Sequence, residues 1–295
     1  RSTQGRSSAA SDVYKRQLLI GAMSVGYVWL DRWQRETIFA IELGEAHWAR
    51  PEPSDTRIYD LTHANGDKIR AWYIGQPDST RPTVLYLHGS RWNLNSSVFR
   101  IERWREMGYN ILAIDYRGFG ESTPLLPSQA SAVEDAIIAI GELERLQPDP
   151  SLRYVYGHSL GGAIASLALK EVNPGTAGLI LESTFTNIQD MLVTSEWADI
   201  PALKWLITQP FNTLDAVKDL NLPTLVMHGE NDRVVPPAMS DTLFAHAAGG
   251  SLPASRLVKF KHTSHSGSSR STDYAPVVTT FISNAGQAFN DIDTR

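Results

Sequence analysis

Short apolar runs rich in β-branched residues recur along this chain at 83–87, 111–115, 154–156, 178–181, 224–227 and 256–260, and stretches of helical character separate them. Each run is too short for a helix and too continuously apolar for a strand with a wet face, which is the mark of strands covered on both sides. The helical stretches include 131–146, where Ser131 and Glu134 read as a capping box, 160–171 and 274–282. Parallel strands need crossover connections, and those connections cover the sheet with helices. The alternation therefore predicts an α/β fold, with a mostly parallel central sheet and helices on both faces. Ahead of it, 57–74 reads as a hairpin turning at Asn65-Gly66. Pro51 and Pro53 mark a linker into this part, and the catalytic domain is expected over 51–290.

Composition removes several classes of function. The chain of 295 residues has no cysteine, so a disulfide scaffold, a thiolate zinc site and a cysteine nucleophile are excluded. A net charge of −5 argues against a nucleic-acid partner. No H-E-x-x-H, P-loop or dinucleotide fingerprint occurs, so neither a metal nor a cofactor is expected.

Residues 1–17, rich in Ser and Arg, show no apolar period and resemble translated adapter sequence; a disordered natural tail is the alternative. The stretch 18–30 is free of charge, and Asp31 and Arg32 end it. A bilayer span takes about 20 residues. The run, within 18–36, is expected to be an N-terminal membrane anchor with Tyr27, Trp29 and Trp33 at the interface. A cleavable signal-like segment or a helix packed on the domain would leave the protein exported or cytoplasmic and soluble.

Gly157-His158-Ser159-Leu160-Gly161 is a G-x-S-x-G pentapeptide, weak alone but set between an apolar strand and a small-residue helix. That setting fits a nucleophile elbow. The glycines allow a sharp turn that lifts the Ser159 hydroxyl out at the carboxyl edge of the sheet, with a helix N-terminus under the developing negative charge. A serine nucleophile needs a base, and the base needs an orienting acid. Asp232 follows the run 224–227 and suits the acid, with Glu230 as rival in the same loop. His265 follows 256–260 and suits the base, with His262 as rival. The oxyanion hole needs two amide donors; those of Leu160, after the nucleophile, and Ser90, in the loop His88-Gly89-Ser90-Arg91-Trp92, are expected. His88 is expected to brace that loop, and Arg117 to be structural.

Taken together, His88-Gly89, the stretch 115–122 reading D-Y-R-G-F-G-E-S, the Ser159 elbow, Asp232 with Val235-Pro236 behind it, and His265 resemble the α/β-hydrolase fold family across residues 58–286. The likeness is to compact, often membrane-anchored serine hydrolases of the α/β-hydrolase-domain and serine-aminopeptidase-like groups. It implies hydrolysis of carboxylic esters or thioesters, lipid acyl esters among them, through an acyl-enzyme and without a cofactor. A peptidase on the same triad and a catalytically silent scaffold are the alternatives. Where many relatives carry a small Asn-Ala-like pair after His-Gly, this chain has Ser90-Arg91-Trp92. Between Ser183 and Leu222 only a minimal cap is expected, with Trp197, Pro201, Trp205 and Phe211 either in an apolar roof over the pocket or in ordinary packing.

Overall fold

The computed structural model describes residues 4–42, 44–78, 80–172, 175–194, 198–200 and 203–293, with side chains over 14–291 of these. The elements run α1 (Gln4–Phe39), β1 (Arg57–Thr62), β2 (Lys68–Ile74), β3 (Thr83–Leu87), α2 (Val98–Glu106), β4 (Asn110–Asp115), α3 (Gln129–Leu146) and β5 (Arg153–His158). They continue with α4 (Leu160–Val172), β6 (Gly178–Glu182), α5 (Ile188–Val193), α6 (Thr213–Asp219), β7 (Thr224–Gly229), α7 (Ala238–His246), β8 (Arg256–Phe260) and α8 (Tyr274–Asp293). The eight strands form one sheet in the order β1-β2-β4-β3-β5-β6-β7-β8. The hairpin β1–β2 and the pair β2–β4 are antiparallel, and every other pair is parallel.

Strand periodicity divides the core. Leu85, Leu87, Ile114, Val155, Leu181 and Val226 face the layer of α3 and α4, where they meet Ala136, Leu143, Ala165 and Leu169. The alternate residues Val84, Tyr86, Tyr154, Tyr156, Ile180 and Leu225 face Ile101 and Trp104 of α2 and Val278 and Phe281 of α8. All five residues of β3 and all six of β4 are buried, as the continuous apolar runs require.

Helix ends depart from expectation. The cap of α3 is Ser128, not Ser131: the Ser131 amide donates to Ser128 Oγ at 3.1 Å, and the Ser128 amide donates to Ser131 Oγ at 2.9 Å. Glu134, expected to close that box, accepts instead from Arg117 Nη2 at 2.9 Å, a charge-assisted bond that outcompetes a backbone amide.

The 36-residue α1 is continuous from Gln4 to Phe39. It contains no proline, and it runs through Gly21 and Gly26 until the chain turns at Ala40, which has a φ of +44°. Its side chains from Tyr14 to Trp29 are exposed. No helix among the described residues is long and apolar enough to cross a membrane, because Lys15 and Arg16 on one side and Asp31 and Arg32 on the other confine the apolar run. The last turns of α1 join the body. Gln34 Nε2 donates to the Leu206 carbonyl at 2.7 Å, and Phe39 is fully buried, 5.9 Å from the ring of Phe211. Beyond α1 the chain clasps the loop after β3: the Arg91 amide donates to the Phe39 carbonyl, and the Glu42 amide to the Arg91 carbonyl, each at 2.9 Å. Arg91 adopts a φ of +80° to make both, donating one and accepting the other.

Candidate active site

Parallel register brings the ends of the central strands to one edge. Gly157 of β5 pairs with Leu87 of β3, and His158 pairs with Glu182 of β6. The turn from β5 into α4 then holds Ser159 at a φ of +54°, a left-handed conformation costly for a residue with a side chain. The flanking glycines make that turn possible, since a Cβ on Gly157 would run into the Gly161 carbonyl and one on Gly161 into the Leu87 carbonyl. The Ser159 amide donates to the Glu182 carbonyl at 2.9 Å, and Thr184 Oγ1 donates to the Ser159 carbonyl at 2.8 Å, so neighbouring β6 clamps the strained residue.

The candidate residues from three loops meet. His265 Nε2 is 3.0 Å from Ser159 Oγ, and its Nδ1 is 2.7 Å from Asp232 Oδ2. The Asp232 side chain is fully buried in the turn after β7. Its Oδ1 accepts from the amides of Val234 at 2.8 Å and Val235 at 3.0 Å, and its Oδ2 lies 3.0 Å from His228 Nε2. Burial raises the Asp232 carboxyl. The hydrogen bonds from His228 and His265, helped by the Val235 amide, outweigh that and hold it well below the usual carboxylate range. The rivals Glu230 and His262 are both exposed.

Gly89 lies against Ser159, close enough that a Cβ there would stand 3.2 Å from Ser159 Cβ. This puts the Ser90 loop beside the hydroxyl, opposite the N-terminus of α4 where Leu160 sits. Among the described residues neither amide donates to another protein group. His88 Nε2 faces Asp115 Oδ1 at 3.3 Å. The His88 ring is buried between Tyr116 and Phe119, and its Nδ1 is 2.6 Å from the Gly89 carbonyl oxygen. Arg117 is tied to Asp135 at 2.6 Å, far into the fold.

A buried network behind Ser159, His265 and Asp232 has no signal in the sequence. Arg100 Nη2 donates to His158 Nε2 at 3.1 Å, and that nitrogen is also 3.1 Å from the His265 carbonyl oxygen. Glu182 faces Arg100 Nε at 3.8 Å and accepts from Tyr156 and Tyr274 hydroxyls at 2.8 and 2.9 Å. Burial, with the Arg100 guanidinium alongside, pushes His158 well below the usual imidazole range and keeps it neutral. Arg100 looks in sequence like any helix-surface arginine.

Ser159 opens into a cleft of about 410 Å³ whose apolar walls are Trp48, Trp92, Phe99 and Val234. No described residue between Ser183 and Leu222 lines it, which corrects the expected roof. Instead Ile188, Leu192, Leu203 and Ile207 line one small cavity with Trp33 and Ile38, and Gln34 bonds the Leu206 carbonyl and the Thr208 amide, so this segment seats the end of α1. Phe211 is fully buried, Trp205 is 78 % exposed, and Trp197 and Pro201 lie outside the described residues.

A strained serine between strand and helix, on a mostly parallel eight-stranded sheet, defines the serine hydrolases of the α/β class. The family described as serine aminopeptidase, S33 matches residues 78–216. The chain is 31 % identical over 222 residues to the α/β-hydrolase domain-containing protein WAV2 of Arabidopsis thaliana, covering 70 % of each chain. It is also 31 % identical over 209 residues to the lysophosphatidylserine lipase ABHD12 of Xenopus tropicalis, covering 64 % of this chain and 52 % of that one. It thus spans about half the length of that lipase. A solved Pyrococcus furiosus esterase, Pf2001, superposes with a TM-score of 0.61 at 18 % identity over 82 % of this chain and 99 % of its own. The chain belongs to the α/β-hydrolase superfamily of serine hydrolases.

Proposed function

We propose that this protein cleaves carboxylic esters or thioesters, lipid acyl esters among them, through a Ser159–His265–Asp232 triad. The observation that carries the reading is the continuous chain of contacts from Ser159 Oγ to His265 at 3.0 Å and from His265 to Asp232 at 2.7 Å. His265 Nε2 takes the hydroxyl proton as Ser159 Oγ attacks the carbonyl carbon. Asp232, kept ionised, holds the imidazole in the tautomer whose Nε2 is free and stabilises the imidazolium that forms. The Ser90 and Leu160 amides hold the oxyanion, and the start of α4 adds its dipole. His265 then returns the proton to the leaving oxygen or sulfur, leaving an acyl-Ser159. Water, deprotonated by His265, attacks that ester and releases the acid. No step draws on a cofactor or metal.

Two matches support an ester substrate: the lipase name of one relative and the esterase name of a structural neighbour. The exposed apolar run of α1, with Tyr27 and Trp29, supports attachment to a membrane surface where lipid esters reside. A second reading, hydrolysis of peptides, is favoured by the family's aminopeptidase description.

The test is fluorophosphonate labelling read by intact mass, beside a 4-nitrophenyl ester series from acetate to palmitate and an aminoacyl 4-nitroanilide. One adduct on Ser159, ester turnover with an optimum chain length, and loss of both in Ser159→Ala are expected. Folded protein that neither labels nor turns over would overturn the proposal, and anilide turnover alone would move it to a peptidase. Flotation with anionic vesicles, lost in Leu19→Glu/Val25→Glu, tests the membrane contact.

A further inference from the structure

Asp232 serves two histidines. His265 Nδ1 reaches its Oδ2 at 2.7 Å, and His228 Nε2 reaches the same oxygen at 3.0 Å. The other oxygen, Oδ1, is filled by the amides of Val234 and Val235. An ionised carboxylate offers about four acceptor directions, so all are taken. The reaction described above uses His265 alone among these donors.

His228 lies at the end of β7 and is fully buried. The turn that follows, in which the Asp232 amide donates to the Gly229 carbonyl at 3.1 Å, folds Asp232 back onto it. Its partners say where its proton sits. Nε2 faces two acceptors, Asp232 Oδ2 and the Val235 carbonyl oxygen at 3.1 Å, whereas the buried Nδ1 has no hydrogen-bond partner among the described residues. The nitrogen that faces acceptors carries the proton, and the nitrogen that faces none stays bare. His228 is therefore a fixed donor, and Oδ2 divides its electron density between two N–H groups.

The charged groups nearby are engaged elsewhere or open to solvent. Glu230 and Arg233 in the same turn, and Lys261 and His262 after β8, are exposed. Lys259, the register neighbour of His228 in β8, is bonded to Asp241 of α7. Beyond His265 stands the His158 ring, 5.0 Å away, with Arg100 and Glu182 behind it. Arg270, in the His265 loop, lies over the Phe99 ring.

Resting on the ester reading above, we infer that His228 is a positioning residue for the reaction: by taking a share of Asp232 Oδ2 it fixes the direction of the carboxylate and limits its pull on the His265 imidazolium. Without that share Oδ2 would serve His265 alone. The imidazolium would be held more firmly and would give up its proton less readily, while the carboxylate, loose on one side, would aim the ring less well.

The experiment measures kcat and KM for 4-nitrophenyl butyrate from pH 5 to pH 9 in wild type, in His228→Phe, which keeps a ring and loses the donor, and in His228→Gln, whose amide nitrogen stands in for Nε2. His228→Phe should move the acid limb of kcat/KM up by about half a pH unit to one unit, and lower kcat about tenfold with KM unchanged. His228→Gln should restore most of both, and Ser128→Ala, at the cap of α3, should move neither. Nitrogen-15 NMR of histidine-labelled wild type should place the His228 proton on Nε2. The His265 Nδ1 proton resonance should move downfield in His228→Phe and return in His228→Gln. The inference is overturned if a folded His228→Phe keeps the wild-type acid limb, if His228→Gln behaves like His228→Phe, or if the His228 proton sits on Nδ1. If His228→Phe does not fold, a proton on Nδ1, or an acid limb in His228→Gln that departs from wild type, overturns it. If wild type labels with fluorophosphonate but cleaves no ester, the ester reading has failed, and the pH dependence of labelling and the same resonances decide the role of His228.

Discussion

Arg100 and Glu182 form an ion pair whose strength can be worked out and measured. Arg100 Nε and Glu182 Oε1 stand 3.8 Å apart, with side chains 5 % and 0 % exposed. Unit charges at that separation attract by about 4 kcal/mol at an effective dielectric constant of about 20. Neither facing atom has a hydrogen-bond partner, so the contact is coulombic. Arg100→Met keeps the side-chain volume and leaves the carboxylate with only two tyrosine hydroxyls for company. Glu182→Gln keeps an acceptor and strands the guanidinium. Each single change should cost about 3–5 kcal/mol, the usual result of leaving one buried charge alone. The double variant should be more stable than the sum of the singles implies, by about 4 kcal/mol. Urea unfolding of all four proteins at pH 7, followed by circular dichroism, closes the cycle. Additivity to within about 0.5 kcal/mol would refute the reasoning, because it would mean that the charges do not feel each other across this interior.

Asp232→Asn should lower kcat by about 10⁴-fold in a 4-nitrophenyl ester assay, because an amide cannot hold the required tautomer of His265. The depressed Asp232 carboxyl contributes stability that is complete above the unfolded carboxylate range near 4 and is lost as pH falls through its lower folded value. The wild-type advantage over Asp232→Asn in urea midpoint should therefore shrink steadily from pH 5 to pH 2. Gly161→Ala drives a methyl into the Leu87 carbonyl, so soluble yield and fluorophosphonate labelling should both collapse. Ser128→Ala removes the cap of α3 and should cost about 1 kcal/mol in the same unfolding assay.

What could be read from residues alone was whatever chemistry is local. The buried strands announce themselves by continuous apolar runs, and β3 and β8 fall where the pattern puts them. The elbow is legible because strand, glycines and helix follow one another without a gap. Asp232 and His265 are legible because each follows a strand in the order such a sheet demands. The rest depends on approach through space. Ser128 outcompetes Ser131 as a cap because Arg117, from another loop, engages Glu134. Nothing within α2 distinguishes Arg100 from Arg103, yet the fold buries the first and leaves the second at the surface. Nothing in the sequence separates Phe211, which packs on Phe39 at the end of α1, from Trp205, which stays exposed.

The clasp between the end of α1 and Arg91 makes a lever of the N-terminal helix. Thirty-six helical residues extend for about 54 Å, and the fulcrum is a pair of backbone bonds one residue from the Ser90 amide. The arm is pinned to the body at Gln34 and Phe39 before the chain reaches that pair of bonds, so the exposed run and the loop beside Ser159 share one seat. A chain trimmed to start at Pro51 would retain Ser159, Asp232, His265 and the whole sheet. It would also release Arg91 from its left-handed turn, and the loop carrying Ser90 would lose its rigging.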